Sequence, residues 1–156
     1  MIESVGLHLA EGTKGMKTVL FLLADYANVS KEGKLNVMGI FDRLNAPKFP
    51  TRHPEMHLVV KLRGELGELG GSRQLTIRLI DQDGKEISSI SRSFDFPEAE
   101  AGRPPEVNFI IGLRDMVFPE PGTYEFVLLV DREHKGGVTI YVNQSEPPEE
   151  IEPPEE

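Results

Sequence analysis

The 156-residue chain contains neither cysteine nor tryptophan. Without cysteine there can be no disulfide scaffold, no thiolate metal site and no cysteine nucleophile. With three Tyr and no Trp, little is available to build the aromatic platform of a sugar-binding module or glycosidase. The longest wholly apolar run, residues 19–24, is six residues long, far short of the roughly 20 that a membrane-spanning helix needs. Basic residues are also in deficit, 17 against 26 acids, for a net charge of −9. That balance argues against a nucleic-acid partner held by phosphate neutralisation. The glycine-rich stretch 64–71 lacks the Lys-Ser/Thr ending and following helix of a phosphate loop. Neither nucleic acid nor membrane is expected as a partner.

The chain has the length of one domain, with 38% apolar and 28% charged residues. Folding at this size buries roughly 70% of the surface exposed by the unfolded chain. Residues 145–156 read S-E-P-P-E-E-I-E-P-P-E-E, with six Glu and four Pro. Like charges repel and proline stiffens, so this segment reads as a disordered acidic tail. Without its six charges, residues 1–144 carry 17 bases and 20 acids, a net of −3. Residues 1–15 precede the apolar run and lack the pattern of a signal peptide. They read as an extension, an upstream start or a cloning remnant. The expected organisation is an N-terminal extension over 1–15, a domain over 16–144 and the tail over 145–156, in the cytoplasm.

Inside the domain the apolar pattern has period two. Met56, Leu58, Val60 and Leu62 alternate with His57, Val59, Lys61 and Arg63; Leu75, Ile77 and Leu79 alternate with Thr76 and Arg78. Val107, Phe109, Ile111 and Leu113 repeat the scheme, as do Tyr124, Phe126, Leu128 and Val130. Half-buried strands produce this alternation, because successive side chains face opposite sides of a sheet. Lys31-Glu32-Gly33-Lys34 and Asp81-Gln82-Asp83-Gly84 mark short hairpin turns, and 64–72 a longer loop. About eight strands follow: 18–28, 34–46, 55–63, 73–81, 85–96, 106–114, 123–131 and 137–143. The first could also be a buried helix; Val19, Phe21 and Val29 favour a strand. Ile87 falls out of phase with Ile90, Phe94 and Phe96, which predicts a bulge near Ser88-Ser89.

The fold expected is all-β: a two-sheet antiparallel β-sandwich, immunoglobulin-like or C2-like. Leu58, Val60, Leu75, Ile77, Phe109, Ile111, Phe126 and Leu128 should face its core. Pro121-Gly122-Thr123-Tyr124-Glu125-Phe126 resembles the entry to a late strand of immunoglobulin-like domains. There a tyrosine hydroxyl bonds back to the preceding turn and the residue two positions later enters the core. Leu23-Ala24-Asp25-Tyr26-Ala27-Asn28-Val29 and Gly33 to Arg43, G-K-L-N-V-M-G-I-F-D-R, resemble the opening of a bacterial family catalogued only as a domain of unknown function. Phe49-Pro50, His53-Pro54, Asp83-Gly84 and Phe118-Pro119 fit its later parts, so the resemblance runs from about Met16 to Val142. It implies a small bacterial β-domain and carries no reaction, ligand or catalytic residue.

Chemistry-bearing patterns are few. Counted as a calcium loop from Asp81, the glycine position holds Glu86 and the bidentate position holds Arg92. A turn accounts for Asp-Gly without a metal. Asp25, Asp42, Asp95, Asp115 and Asp131 lie near strand ends, where they either cap turns or converge on calcium as in lipid-binding sandwiches. His53 and His57 would pair on a helix, but Pro54 intervenes and a strand would hold them roughly 13 Å apart. Ser88, Ser89, Ser91 and Ser93 lack a nucleophile-elbow sequence and read as a polar strand face. No catalytic, metal or cofactor residue is nominated.

Between Asp42 and Arg63, five bases, Arg43, Lys48, Arg52, Lys61 and Arg63, outnumber two acids. They form either alternating surface charge or a basic patch for an acidic partner, the tail included. Two functional readings stand. The first is a non-enzymatic cytoplasmic interaction module with a protein partner or a second copy of itself, acting through a surface or an edge strand. The second is a sandwich binding a ligand or calcium at its end loops, or an uncharacterised enzyme. The absent catalytic spacings favour the first.

Overall fold

A computed structural model describes residues 15–65, 71–151 and 153–154. The first 14 residues of the extension and the centre of the 64–72 loop lie outside the described residues. Alternation produces strands throughout: β1 Met16–Val29, β2 Leu35–Ile40, β3 Arg43–Ala46, β4 Thr51–Gly64, β5 Gly71–Ile80, β6 Glu86–Phe96, β7 Glu106–Phe118, β8 Gly122–Val130 and β9 Glu133–Gln144. They form a four-stranded sheet ordered β2-β1-β4-β7 and a five-stranded sheet ordered β3-β9-β8-β5-β6. The five-stranded sheet curls into a half-barrel. The domain is therefore all-β and two-sheeted, while the curl departs from two flat apposed sheets.

Nine strands appear among the described residues where about eight were expected, because the segment 34–46 is two strands in different sheets. The chain changes sheet at Phe41-Asp42. Phe41 N–H donates to the Leu23 carbonyl in one sheet at 3.1 Å, and Tyr141 N–H donates to the Asp42 carbonyl in the other at 2.7 Å. Gly39 makes the bend two residues earlier, at φ +70°, where L-residues are disfavoured. β3 then runs parallel to β9, so the pairing is not antiparallel throughout.

Both anticipated hairpin turns form. Ser30 closes the first, its N–H donating to Lys34 O at 2.8 Å while its Oγ accepts from Lys34 N–H at 3.0 Å. Asp81 closes the second, its Oδ1 accepting from the N–H groups of Asp83 and Lys85 at 2.9 Å each. The expected bulge falls at Ile87: Leu79 opposes Ser88, Ile80 opposes Glu86, and Ile87 has no opposite residue. The link expected between 131 and 137 is a two-residue turn, because Val130 opposes Glu133 and the intervening Asp131 and Arg132 both have positive φ.

The core lies between the sheets. Leu58, Val60, Leu75, Ile77, Ile111, Phe126 and Leu128 are all buried, and Phe109 packs against them half-buried. A bulge in β9 sets Lys135 between the residues opposing Leu128 and Leu129 and turns its side chain inward. Its buried Nζ reaches the Met16 carbonyl at 3.4 Å, and its own carbonyl accepts from Thr18 Oγ1 at 2.7 Å. These bonds tie β1 to β9 across the two sheets.

Candidate interaction surface

β4 breaks the alternation expected of it. Met56, His57, Leu58, Val59 and Val60 are consecutively buried. Even-numbered residues enter the core, while Val59, 0% exposed, lies outside the core cluster. Register shows what surrounds it: Leu22 of β1 on one side and Ile110 of β7 on the other. Following the same face across the sheet gives Met38 and Ile40 on β2, Leu20, Leu22, Ala24 and Tyr26 on β1, His57, Val59 and Lys61 on β4, and Asn108, Ile110 and Gly112 on β7. The outer face of the four-stranded sheet is thus apolar at its centre, with Asn28 and Asn36 and the charged Glu55 and Arg114 on the same face beside it. Its relief is uneven: Tyr26, Met38 and Ile40 are 48%, 65% and 64% exposed, whereas Val59 is fully covered and Gly112 has no side chain.

The ridge exists because β1 serves two partners in turn. Residues up to Ala24 pair with β4, and from Ala24 onward with β2. Where β1 leaves β4, His57 fills the gap. Its Nδ1 lies 3.1 Å from the Asp25 carbonyl, and its ring meets Tyr26 edge-on at 5.3 Å between centroids. Since that carbonyl can only accept, Nδ1 is the protonated nitrogen in this contact. Beyond this point β4 has β7 on one side alone, which lets it hold Pro54. β2, at the sheet edge, has no fully buried residue.

The outer face of the five-stranded sheet is of a different character. Gln74, Thr76 and Arg78 of β5 stand opposite Ser93, Ser91 and Ser89 of β6, with Thr76 Oγ1 and Ser91 Oγ 3.1 Å apart. Ser89, Ser91 and Ser93 form the polar strand face the sequence indicated, while Ser88 opposes the buried Leu79 on the core side at the bulge. Val127 and Leu129 of β8 continue this face half-buried, flanked by Thr123 and Glu125.

The remaining candidates are dispersed. Asp131 accepts from Gln74 N–H at 2.9 Å and lies 3.6 Å from Arg73; Asp42 lies beside Arg43 at 3.7 Å; the Asp25 side chain packs over Gly39. Among the described residues no group of three or more His, Asp or Glu could hold a metal ion. His53 and His57 both lie on β4, His53 against Phe41 with centroids 5.9 Å apart. The five bases are not gathered at one place. Lys61 and Arg63, near the end of β4, share Glu106 at 3.8 and 2.7 Å. Arg52 lies near the opposite end of β4, about 36 Å from Arg63 at the usual rise per residue, and Lys48 in the connection before it. Arg43 is on β3, in the other sheet.

That connection is also where the acidic segment leaves the fold. Ser145 N–H donates to Ala46 O at 2.9 Å and Gln144 Nε2 to Pro47 O at 3.2 Å. Beyond it Ile151 is 92% exposed. An open groove of about 520 Å³ is lined by Arg63, Glu98, Arg103, Pro105 and Glu106. A smaller one, about 150 Å³, lies beside Asp81, Pro119 and Tyr124. Tyr124 behaves as its sequence context indicated: its hydroxyl donates to Glu120 O at 2.6 Å, and Phe126 is buried two residues on. Burial pushes its phenol above the ordinary value of 10.0.

Sequence reading found the hydroxyl face, both turns and the tyrosine. It missed the apolar outer face, whose signal was Val59 and Tyr26 at positions where alternation calls for polar residues. A two-sheeted β-domain with one apolar and one mostly polar outer surface is the class these features define. The chain belongs to the family described as "Family of unknown function (DUF6941)", whose model matches residues 19–143. No curated protein matches it. Among solved structures it is similar to the Pseudomonas fluorescens alkylpurine DNA glycosylase AlkC bound to DNA containing an abasic site analog, with 12% identity and TM-score 0.50, covering 86% of this chain and 32% of that one. It is also similar to a β-glucosidase from Listeria innocua, with 12% identity and TM-score 0.46, covering 82% of this chain and 16% of that one. This chain thus spans about a third of the glycosylase chain. At such identity the glycosylase likeness speaks to the fold alone. Among the described residues no helix is long and apolar enough to cross a membrane.

Proposed function

We propose that this chain is a non-enzymatic interaction module of the cytoplasm that binds protein through the outer face of its four-stranded sheet. The observation that carries the reading is the contrast between the two outer faces: Tyr26, Met38 and Ile40 exposed on one; on the other Thr76, Arg78, Ser89, Ser91 and Ser93, with Tyr141 exposed beside Thr123. Covering each of the three apolar side chains fully would contribute about 1–2 kcal/mol, half or more of the full burial value. A surface of that kind marks an association site more often than a catalytic one. The loop-end ligand reading has less support, because two of the five aspartates that would serve it are held locally: Asp42 lies beside Arg43, and Asp131 accepts from Gln74 N–H and lies beside Arg73.

Two finer readings belong with this one. The domain is an immunoglobulin-like relative with a curled second sheet, a view supported by the bond from Tyr124 to its preceding turn and the burial of Phe126. The acidic tail docks weakly on basic surface. Its exit beside Ala46 and Pro47 makes Lys48, Arg43 and Arg52 the nearer candidates, and Lys61 and Arg63 the farther ones. The test is capture from native lysate by the full chain and by a chain ending at Gln144. A stoichiometric protein partner supports the module. A co-purifying small molecule without a protein partner supports the loop-end reading instead.

A further inference from the structure

We infer that a partner adds an extended strand to the free edge of β2, and that this strand is uncharged and apolar on both of its faces. The inference rests on the interaction-module reading and adds the mode of docking and the chemistry of the partner. Among the described residues four strands have a neighbour on one side only, β2 and β7 in one sheet and β3 and β6 in the other. Edges of this kind are guarded against pairing by charge, by bends or by brevity. β3 is four residues long and begins with Arg43. β6 carries Glu86, Asp95 and Arg92, the last on its core-facing side opposite Leu75. β7 carries Glu106, Arg114 and Asp115, with the backbone of Asp115 at φ +52°. β2, Leu35-Asn36-Val37-Met38-Gly39-Ile40, has no charged residue and no proline. Gly39 bends it near its end, while Leu35 to Met38 stay in unbroken register with β1. This uncharged edge is apolar on both sides. Met38 and Ile40 are exposed on the outer face; Leu35 and Val37 are half-buried on the other, where Val29, opposite Leu35, is exposed too.

Backbone and charge together select the occupant. An apolar body laid on either face would leave the unpaired N–H and C=O groups of β2 to water, whereas a strand pairs them and covers both faces at once. An acid or base in the middle of that strand would lie against Leu35 and Val37 or against Met38 and Ile40. No opposite charge on β2 would offset its desolvation. Cross-strand neighbours then give the pattern. Opposite Ile40, Met38, Val37 and Leu35 the added residues are apolar. They are polar opposite Gly39, which packs beneath the Asp25 carboxyl, and opposite Asn36, bonded to Asn28 at 2.8 Å. The order apolar-polar-apolar-apolar-polar-apolar reads the same in either direction, so it holds for a parallel or an antiparallel strand. A second copy of β2 does not meet this pattern. Any antiparallel self-pairing longer than three residues sets Asn36 against Met38 or Ile40. The tail, with six Glu and four Pro, is no donor either. The added strand therefore belongs to another protein.

The probe is a fluorescent peptide, Ile-Ser-Ile-Val-Thr-Val with a Lys and a Glu at each end. Fluorescence anisotropy with the full chain should detect binding below about 1 mM. Met38→Asp, at an exposed position, should weaken it at least about tenfold, with an unchanged β-type circular dichroism spectrum as the folding control. Two forms of the probe, N-methylated at alternate backbone amides in opposite phase, separate strand addition from docking on a face. A paired strand turns only every second N–H towards its neighbour, so the two forms should differ in affinity at least about tenfold. Bound probe should slow hydrogen exchange in β2 and leave β6 and β7 unchanged. No binding up to about 1 mM, equal binding by the two methylated forms, or protection of β6 or β7 in place of β2 overturns the inference. A mass that doubles at high concentration, and does not in Met38→Asp, makes a second copy the occupant and overturns it as well. If the probe fails while Met38→Asp still abolishes capture of a lysate protein, strand addition is excluded and the module reading survives.

Discussion

Tyr124 shows how one side chain can fix a corner of this fold. Its ring meets Phe118 edge-on at 5.1 Å, and its hydroxyl holds the turn through Glu120. Tyr124→Phe keeps the ring and removes the bond, so chemical denaturation should report a loss of about 1–2 kcal/mol. The pH dependence has a definite sign. With the phenol raised above 10.0 by burial, the native state holds its proton at pH values where the unfolded chain has lost it. The contribution is intact below about pH 10 and is lost as pH rises through the raised native value. Stability of Tyr124→Phe measured above that pH should therefore fall less steeply than that of the parent. Gly39 is the second position where one atom matters. At φ +70°, with the Asp25 carboxyl against its Cα, Gly39→Ala should cost about 1–3 kcal/mol in thermal or denaturant unfolding.

At the scale of elements, β2 and β4 are opposites. β4 has strands on both sides over residues 57–63 and β2 on one side only. Hydrogen exchange on a dilute sample should find β4 amides among the slowest and β2 amides among the fastest in the sheets, since exposed backbone hydrogen bonds open at low free energy. Equal protection of the two strands would contradict that ranking. The sequence shows these elements unevenly, for physical reasons. Alternation revealed most strands because burial on one face leaves its mark on every second residue. It could not divide 34–46, since the partners that separate Phe41 from Asp42 are Leu23 and Tyr141, distant in sequence. It also treated Val59 as outward and solvated, whereas Leu22 and Ile110 beside it come from strands 37 and 51 residues away. The five bases were a cluster in sequence because 42–63 is one stretch of chain; β3 and β4 then carry that stretch into two sheets.

The whole molecule is asymmetric in polarity and in charge. Six of the nine units of net negative charge belong to the tail, and its exit beside Lys48 puts it within reach of the nearer bases. A chain ending at Gln144 should unfold at the same denaturant concentration as the full chain, because the tail offers one apolar side chain against the entropy of ordering twelve residues. Any association the tail supports should be lost with it at low salt and weaken in the full chain as salt rises, given a screening length of about 8 Å at physiological ionic strength. Truncation without effect on association at low salt would leave the tail no docking role. The central claim concerns the sheet, and paired variants test it directly. Ile40→Asp charges the outer face of the four-stranded sheet, and Ser93→Asp charges that of the five-stranded one. Compared for capture of lysate proteins, Ile40→Asp should lose it while Ser93→Asp matches the parent. Full capture by Ile40→Asp, or its loss in Ser93→Asp, would contradict the account.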